Sequence, residues 1–402
     1  MTGLRRKKRI VRAGLLSVLF FLMLFGFLYT SIPDRFLMTE GKEADSFLSL
    51  PLVKEEVVKA GAQDDSNIPE GAVTVNYSFL GIIPMKSVEV TMVDEKKVFP
   101  GGMPVGIYMK TDGILVVGTG TVEGMDGKEY SPASNILKSG DYIRAVNGTA
   151  VNEKEDLISC VNHCLGSDVV LSVERNGEVS SIKVSPTQTG REEYKLGIWV
   201  RDDTQGIGTV TYMDGDGNYG ALGHGISDVD TGLLMNLDGG NLYHTEILSV
   251  VKGEKGSPGE MTGVIRYRNS EILGTITENT DQGIFGKITR QKEGFAVGEP
   301  VEIAYKQEIT AGPATILSAV DGTVKEYSIE IEKINLNSRE ANKSMVIRVT
   351  DEELLEKTGG IIQGMSGSPI LQNGKLIGAV THVFVQDSAR GYGIFIEHML
   401  EH

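Results

Sequence analysis

With 402 residues the chain is long enough for two or three domains. Fifty glycines against 12 prolines, with few long helical patterns, point to a mainly β protein with many tight turns. A net charge of −15 leaves little to neutralise phosphates, so nucleic acid is excluded as a partner class.

The charge is unevenly placed. Arg5, Arg6, Lys7, Lys8, Arg9 and Arg12 precede an uncharged run from Ala13 to Ile32. Twenty helical residues rise roughly 30 Å, the hydrocarbon thickness of a bilayer. A cleaved signal peptide is the competing reading, but its apolar core is usually shorter and ends in small residues, whereas Leu28-Tyr29-Thr30 close this one. Residues 1–32 therefore read as a cytoplasmic basic stub and a transmembrane signal anchor, with the rest of the chain outside. Residues 33–96 read as a linker or stalk: Glu40 to Ile68 are rich in Lys, Glu, Asp and Ser with little periodicity. Alternation within Gly71 to Val93 allows a strand or two.

From Val98 the texture changes. A Gly/Pro loop runs through Phe99-Pro-Gly-Gly-Met-Pro into Val105-Gly106-Ile107, and Gly113-Ile-Leu-Val-Val-Gly118 predicts a strand. Gly140-Asp141 turns into another strand through Ile143 and Val146, and Asn147-Gly148 suits a two-residue hairpin turn. Glu153 to Leu165 predicts an amphipathic helix with Leu157, Val161 and Leu165 on one face. His163 between Cys160 and Cys164 lacks the four spaced ligands of a metal site, and two cysteines one helical turn apart suit no disulfide. Residues 97–188 resemble a PDZ domain. That resemblance implies an extended peptide laid along a strand edge beside a helix, with Val105, Gly106 and Ile107 as the peptide-binding loop. Pro104 removes one amide donor from that loop, so binding of an extended peptide is better supported than capture of a terminal carboxylate.

Residues 190–402 read as short strands and turns, as in a β-barrel or paired barrels. Asp214-Gly-Asp-Gly-Asn218 begins like a calcium loop. Tyr219 and Gly225 stand where its glycine and bidentate glutamate belong, so it reads as a hairpin turn. His224, in Ala-Leu-Gly-His-Gly225, ends an apolar strand between glycines that leave its ring accessible, as a general base requires. Gln363-Gly-Met-Ser-Gly-Ser-Pro-Ile370 places Ser366 on a glycine turn ahead of a hairpin through Asn373-Gly374. The amides of Gly364 and Ser366 could converge there on an acyl oxyanion. His382 follows on the next strand as part of the site wall. A serine needs a base, and the base an acid that fixes its tautomer. Between His224 and Ser366 the candidates include Asp228, Asp230, Asp281 and Asp351. Thr350 with Glu353 forms a capping box that puts Asp351 in the first turn of a helix.

The anchor, the PDZ-like unit, Gly-Ala-Leu-Gly-His-Gly and Gly-Met-Ser-Gly-Ser-Pro together resemble the stage IV sporulation protein B family. The resemblance implies a chymotrypsin-like β-barrel peptidase domain over residues 190–402, with Ser366 as nucleophile, His224 as base and Asp351 as acid, and no metal or organic cofactor. It implies a self-cleaving serine endopeptidase in the space between forespore and mother cell. Its substrates would be itself and a membrane-bound regulator of an intramembrane metalloprotease that matures a late sigma factor. The rival reading is a non-catalytic PDZ adaptor with a relic peptidase domain.

Overall fold

A computed structural model describes residues 2–41, 46–59, 73–290 and 298–402. Helix α1 (Thr2–Ser31) contains the apolar run; its Val11–Ser31 segment, of mean hydropathy 2.2, is long and apolar enough to cross a membrane by length and composition. The stretch expected as a linker is more ordered than its composition suggests. Strands β1 (Arg35–Thr39), β2 (Val53–Lys59), β3 (Val73–Phe79) and β4 (Ile83–Val93) form one sheet in the order β1-β4-β3-β2. Val73, Val75 and Tyr77 alternate inward from β3 and bury with Ile32, Phe36, Phe47, Val88 and Val90, while Phe79 at the end of the strand is buried against Phe21 and Phe25 of α1. A two-residue period supplies that core even where charged residues crowd the outward face. Residues 42–45 and 60–72 of the expected linker lie outside the described residues.

Two long strands organise the middle of the chain. Strand β5 (Pro104–Thr119) pairs with β9 (Ile198–Met213) over almost its whole length. Between them in sequence come β6 (Tyr142–Val146), helix α2 (Lys154–His163), β7 (Val169–Arg175) and β8 (Glu178–Val184). The sheet β8-β7-β6 and the second half of β5 enclose a core of Ile114, Val116, Ile143, Leu157, Val161, Leu171 and Leu196, which is the PDZ unit.

The first half of β5 belongs to a different unit. Pro104–Thr111 pairs with β9 on one edge and with β11 (Leu237–Val251) on the other. Adding β10 (Asn218–Ala221), β12 (Ile272–Thr280) and β13 (Gly283–Ile288) closes a ring in the order β5-β11-β12-β13-β10-β9. Its core holds Val105, Ile107, Met109, Val210, Leu222, Leu242 and Ile284. The PDZ unit is therefore inserted between the first two strands of this barrel, not simply placed before it.

A second closed barrel is built from β14 (Gly312–Ser318), β15 (Lys325–Ile334), β16 (Met345–Val349), β17 (Pro369–Gln372), β18 (Lys375–Phe384) and β19 (Asp387–Phe395), in the order β14-β15-β16-β19-β18-β17. Helix α3 (Glu352–Thr358) sits between β16 and β17, and α4 (Ile396–Met399) comes after β19. The expected hairpin turns are present: Asn147-Gly148 and Asn373-Gly374 have both residues at positive φ, as a two-residue turn matched to strand twist requires.

Candidate active site

The two barrels meet at a cleft of about 380 Å³. The first contributes Ile107, Ile207, Leu222 and His224; the second contributes Ile362, Gly364, Ser366 and His382.

Ser366 lies on the turn between α3 and β17. Gly364 has φ +98° and Gly367 φ +94°, a region that favours glycine. A side chain at Gly367 would stand 2.0 Å from the Thr209 carbonyl oxygen, and one at Gly364 would stand 2.7 Å from Met261 Cε. The turn is held from the first barrel: Thr209 Oγ1 donates to the Gly364 carbonyl at 2.7 Å, and Thr209 N donates to the Ser366 carbonyl at 2.9 Å. Thr211 Oγ1 donates to the Gly367 carbonyl at 2.8 Å. Both threonines are fully buried in β9.

The amides of the turn divide into two groups. Met365 N, Gly367 N and Ser368 N donate to the carbonyls of Ile362, Val380 and Met365. Gly364 N and Ser366 N have no acceptor among the described residues. Two unengaged amides flanking a serine are what a developing oxyanion needs. The Ser366 hydroxyl itself donates to the Thr381 carbonyl at 2.7 Å.

His224 comes just after β10 and is largely buried in the cleft wall. Its Nδ1 faces the Gly225 carbonyl at 2.9 Å, which selects the tautomer with hydrogen on Nδ1 and leaves Nε2 as the base. Burial lowers its pKa, and the Gly225 carbonyl opposes that shift. The His382 ring lies 4.5 Å from it, centroid to centroid. Burial, then the neighbouring His224 and Lys343, push His382 down to about 4, with Glu340 opposing. Asn279, on β12, fixes the segment after His224: its side chain accepts from Ile226 N at 2.8 Å and donates to the Ile226 and Met235 carbonyls at 2.9 Å.

The structure does not bring the expected acid to this histidine. Asp351 is the N-cap residue of α3, one position before the first turn, and its carboxylate accepts from Leu354 N at 3.0 Å and Ser328 N at 3.3 Å. It does not line the cleft. Asp228 is buried in an ion pair with Arg201 and accepts from the amides of Asp230 and Thr231. Asp230 pairs with Arg201 at 2.9 Å, and Asp281 is exposed on the turn between β12 and β13.

The expected peptide-binding loop is also corrected. Val105, Gly106 and Ile107 lie inside β5, paired with Gly208, Ile207 and Gly206 of β9 and with His244, Tyr243 and Leu242 of β11. A strand paired on both edges has no free edge for a peptide. The edge of the PDZ unit that lies next to α2 is Ile198–Arg201, which among the described residues pairs with β5 on one side only. Lys195-Leu196-Gly197-Ile198 leads into it, with Gly197 at φ +66°.

Paired barrels with a glycine-turn serine and a histidine at their junction define a serine peptidase, here carrying a PDZ domain. The family description "SpoIVB peptidase S55" matches residues 192–400, and "PDZ domain" matches residues 102–185. The chain belongs to the SpoIVB peptidase S55 family. The first barrel strand, Pro104–Thr111, falls inside the PDZ match rather than the peptidase match. No curated protein matches the chain. A solved structure, "Structure of GrC", is similar at 12% identity over 50% of this chain and 89% of that chain, with a TM-score of 0.24.

Proposed function

We propose that the chain is a membrane-anchored, self-cleaving endopeptidase in which Ser366 attacks a peptide carbonyl, His224 Nε2 takes its proton, and the amides of Gly364 and Ser366 hold the oxyanion. The observation that carries this reading is the pair of unengaged amides beside a serine that shares a cleft with a tautomer-fixed histidine. The Ser366 hydroxyl must exchange the Thr381 carbonyl for His224 before it reacts. In this arrangement the Gly225 carbonyl orients the base, the role that the family resemblance gave to Asp351.

Helix α1 is retained as an anchor, so the catalytic barrels stand outside the cytoplasmic membrane in the space between forespore and mother cell. The substrates are the chain itself and a membrane-bound regulator whose cleavage leads to activation of a late sigma factor. Peptide is delivered along Ile198–Arg201 beside α2, an edge that supports strand addition. The Ser366–Thr381 hydrogen bond favours the rival reading, an adaptor without activity. Mass spectrometry of the purified full chain separates the two. Self-derived fragments that vanish in Ser366→Ala support the peptidase; an intact chain, or fragments that persist in Ser366→Ala, refute it.

A further inference from the structure

The first four-stranded sheet ends in an apolar tip that the peptidase reading does not use. Strand β2 begins at Val53 opposite Phe79, the last residue of β3, and β4 begins at Ile83, so two turns share one end of the sheet. Leu80 N donates to the Leu52 carbonyl at 2.7 Å and ties the turns together. Leu52 is 51% exposed, Leu80 57%, Ile82 81% and Ile83 42%. Phe79-Leu-Gly-Ile-Ile-Pro-Met85 contains no charged residue. Leu52 and Leu80 have φ of 64° and 54°, a left-handed conformation that is rare for leucine. Four large apolar side chains clustered at one exposed end need a covering surface.

The position of α1 says what covers them. Phe79 packs edge-on against Phe21 at 5.2 Å between centroids and against Phe25 at 6.0 Å, both inside the apolar span Val11–Ser31. Phe21 lies ten residues before Ser31, roughly 15 Å along a helix axis. The tip therefore runs beside the span itself, well past the point where the chain leaves it. A cation and an aromatic ring sit behind the tip. The Lys86 ammonium lies 5.7 Å from the centre of the Tyr29 ring and donates to the Ile32 carbonyl at 2.8 Å, while the aliphatic stem of Lys54 lies against Gly81 in the tip itself. Lysine and tyrosine at the end of an apolar span mark the headgroup level of a bilayer.

We propose that Leu80–Ile83, with Leu52, inserts into the outer leaflet of the bilayer that α1 crosses, so that the sheet is a second membrane contact. This rests on the reading of α1 as a retained anchor. The contact fixes the height and rotation of the sheet against the lipid surface, and hence the approach of the barrels to a membrane-bound substrate.

The test uses the full chain with Ser366→Ala, to keep it whole, and Trp199→Phe, which removes the only tryptophan. One version carries Ile82→Trp and another Phe21→Trp, each reconstituted in phosphatidylcholine vesicles with and without bromine on the acyl chains. Several-fold quenching by brominated lipid at both positions is the expected result. Quenching of Phe21→Trp with none at Ile82→Trp overturns the insertion and leaves the anchor standing. Quenching at neither removes the anchor, and the insertion with it. A version that keeps Trp199 on the exposed PDZ surface should remain unquenched, and its quenching would overturn the assignment of the tip as the specific contact.

Discussion

Thr209→Val removes one hydroxyl while keeping the shape of a fully buried β9 residue, and the Gly364 carbonyl loses its donor at 2.7 Å. A buried acceptor left unpaired costs about 1–3 kcal/mol. Some of that cost falls on global stability. The rest falls on the turn: the Gly364–Met365 peptide is then held only by Met365 N donating to the Ile362 carbonyl, which loosens Gly364, whose own N–H is one of the two oxyanion amides. If roughly 1.4–2.7 kcal/mol of the penalty appears in the transition state, turnover falls about 10- to 100-fold with little change in KM. The assay is the second-order rate of fluorophosphonate labelling, measured together with the thermal midpoint of the same preparation. A Thr209→Val chain that labels at the wild-type rate, whatever its stability, refutes the idea that the first barrel sets the geometry of the oxyanion turn.

Three further outcomes rest on contacts of the same kind. Asp351→Asn keeps an acceptor at the N-cap of α3 and should retain most activity, while Asp351→Ala should lose about 1 kcal/mol of stability; a loss of about 10⁴ in turnover for a folded Asp351→Asn would restore the acid role. Because His224 acts as a base only when neutral, and its pKa is lowered from 6.5, activity should persist as pH falls below 6.5 and fail only below the lowered value. An acid limb of kcat/KM centred at or above 6.5 in the free enzyme would contradict this. Glu397 accepts from Lys306 N at 3.0 Å and pairs with its ammonium at 3.1 Å, with both side chains buried. Glu397→Ala should therefore cost about 3–5 kcal/mol in denaturant unfolding, and Lys306→Met in the same chain should recover much of it.

The features legible in the sequence are local ones. Gly364, Gly367 and Asn373-Gly374 are readable because a positive φ leaves a residue-type signature at the place where it occurs. His224 is readable because its flanking glycines are adjacent to it. The PDZ strands and α2 are readable from their periodicities. By contrast, Val105-Gly106-Ile107 has the composition of a loop entering a strand, and only pairing with β9 and β11, far away in sequence, makes it a barrel strand. Thr209, Thr211 and Asn279 have no motif around them, since each acts by a hydrogen bond to a distant backbone group. The sheet of residues 35–93 is obscured because charged outward positions dilute the alternation of its buried ones. Asp351 reads one residue too far into α3 because Thr350 resembles a cap as well as Asp351 does.

The central claim is that Ser366, activated by His224, is the nucleophile. Intact-mass and peptide mapping after fluorophosphonate treatment of the full chain test it most directly. The predicted result is a single adduct on the peptide containing Ser366, absent in Ser366→Ala and slowed by orders of magnitude in His224→Ala. An adduct on a different serine, or labelling of Ser366 at an undiminished rate in His224→Ala, would contradict it.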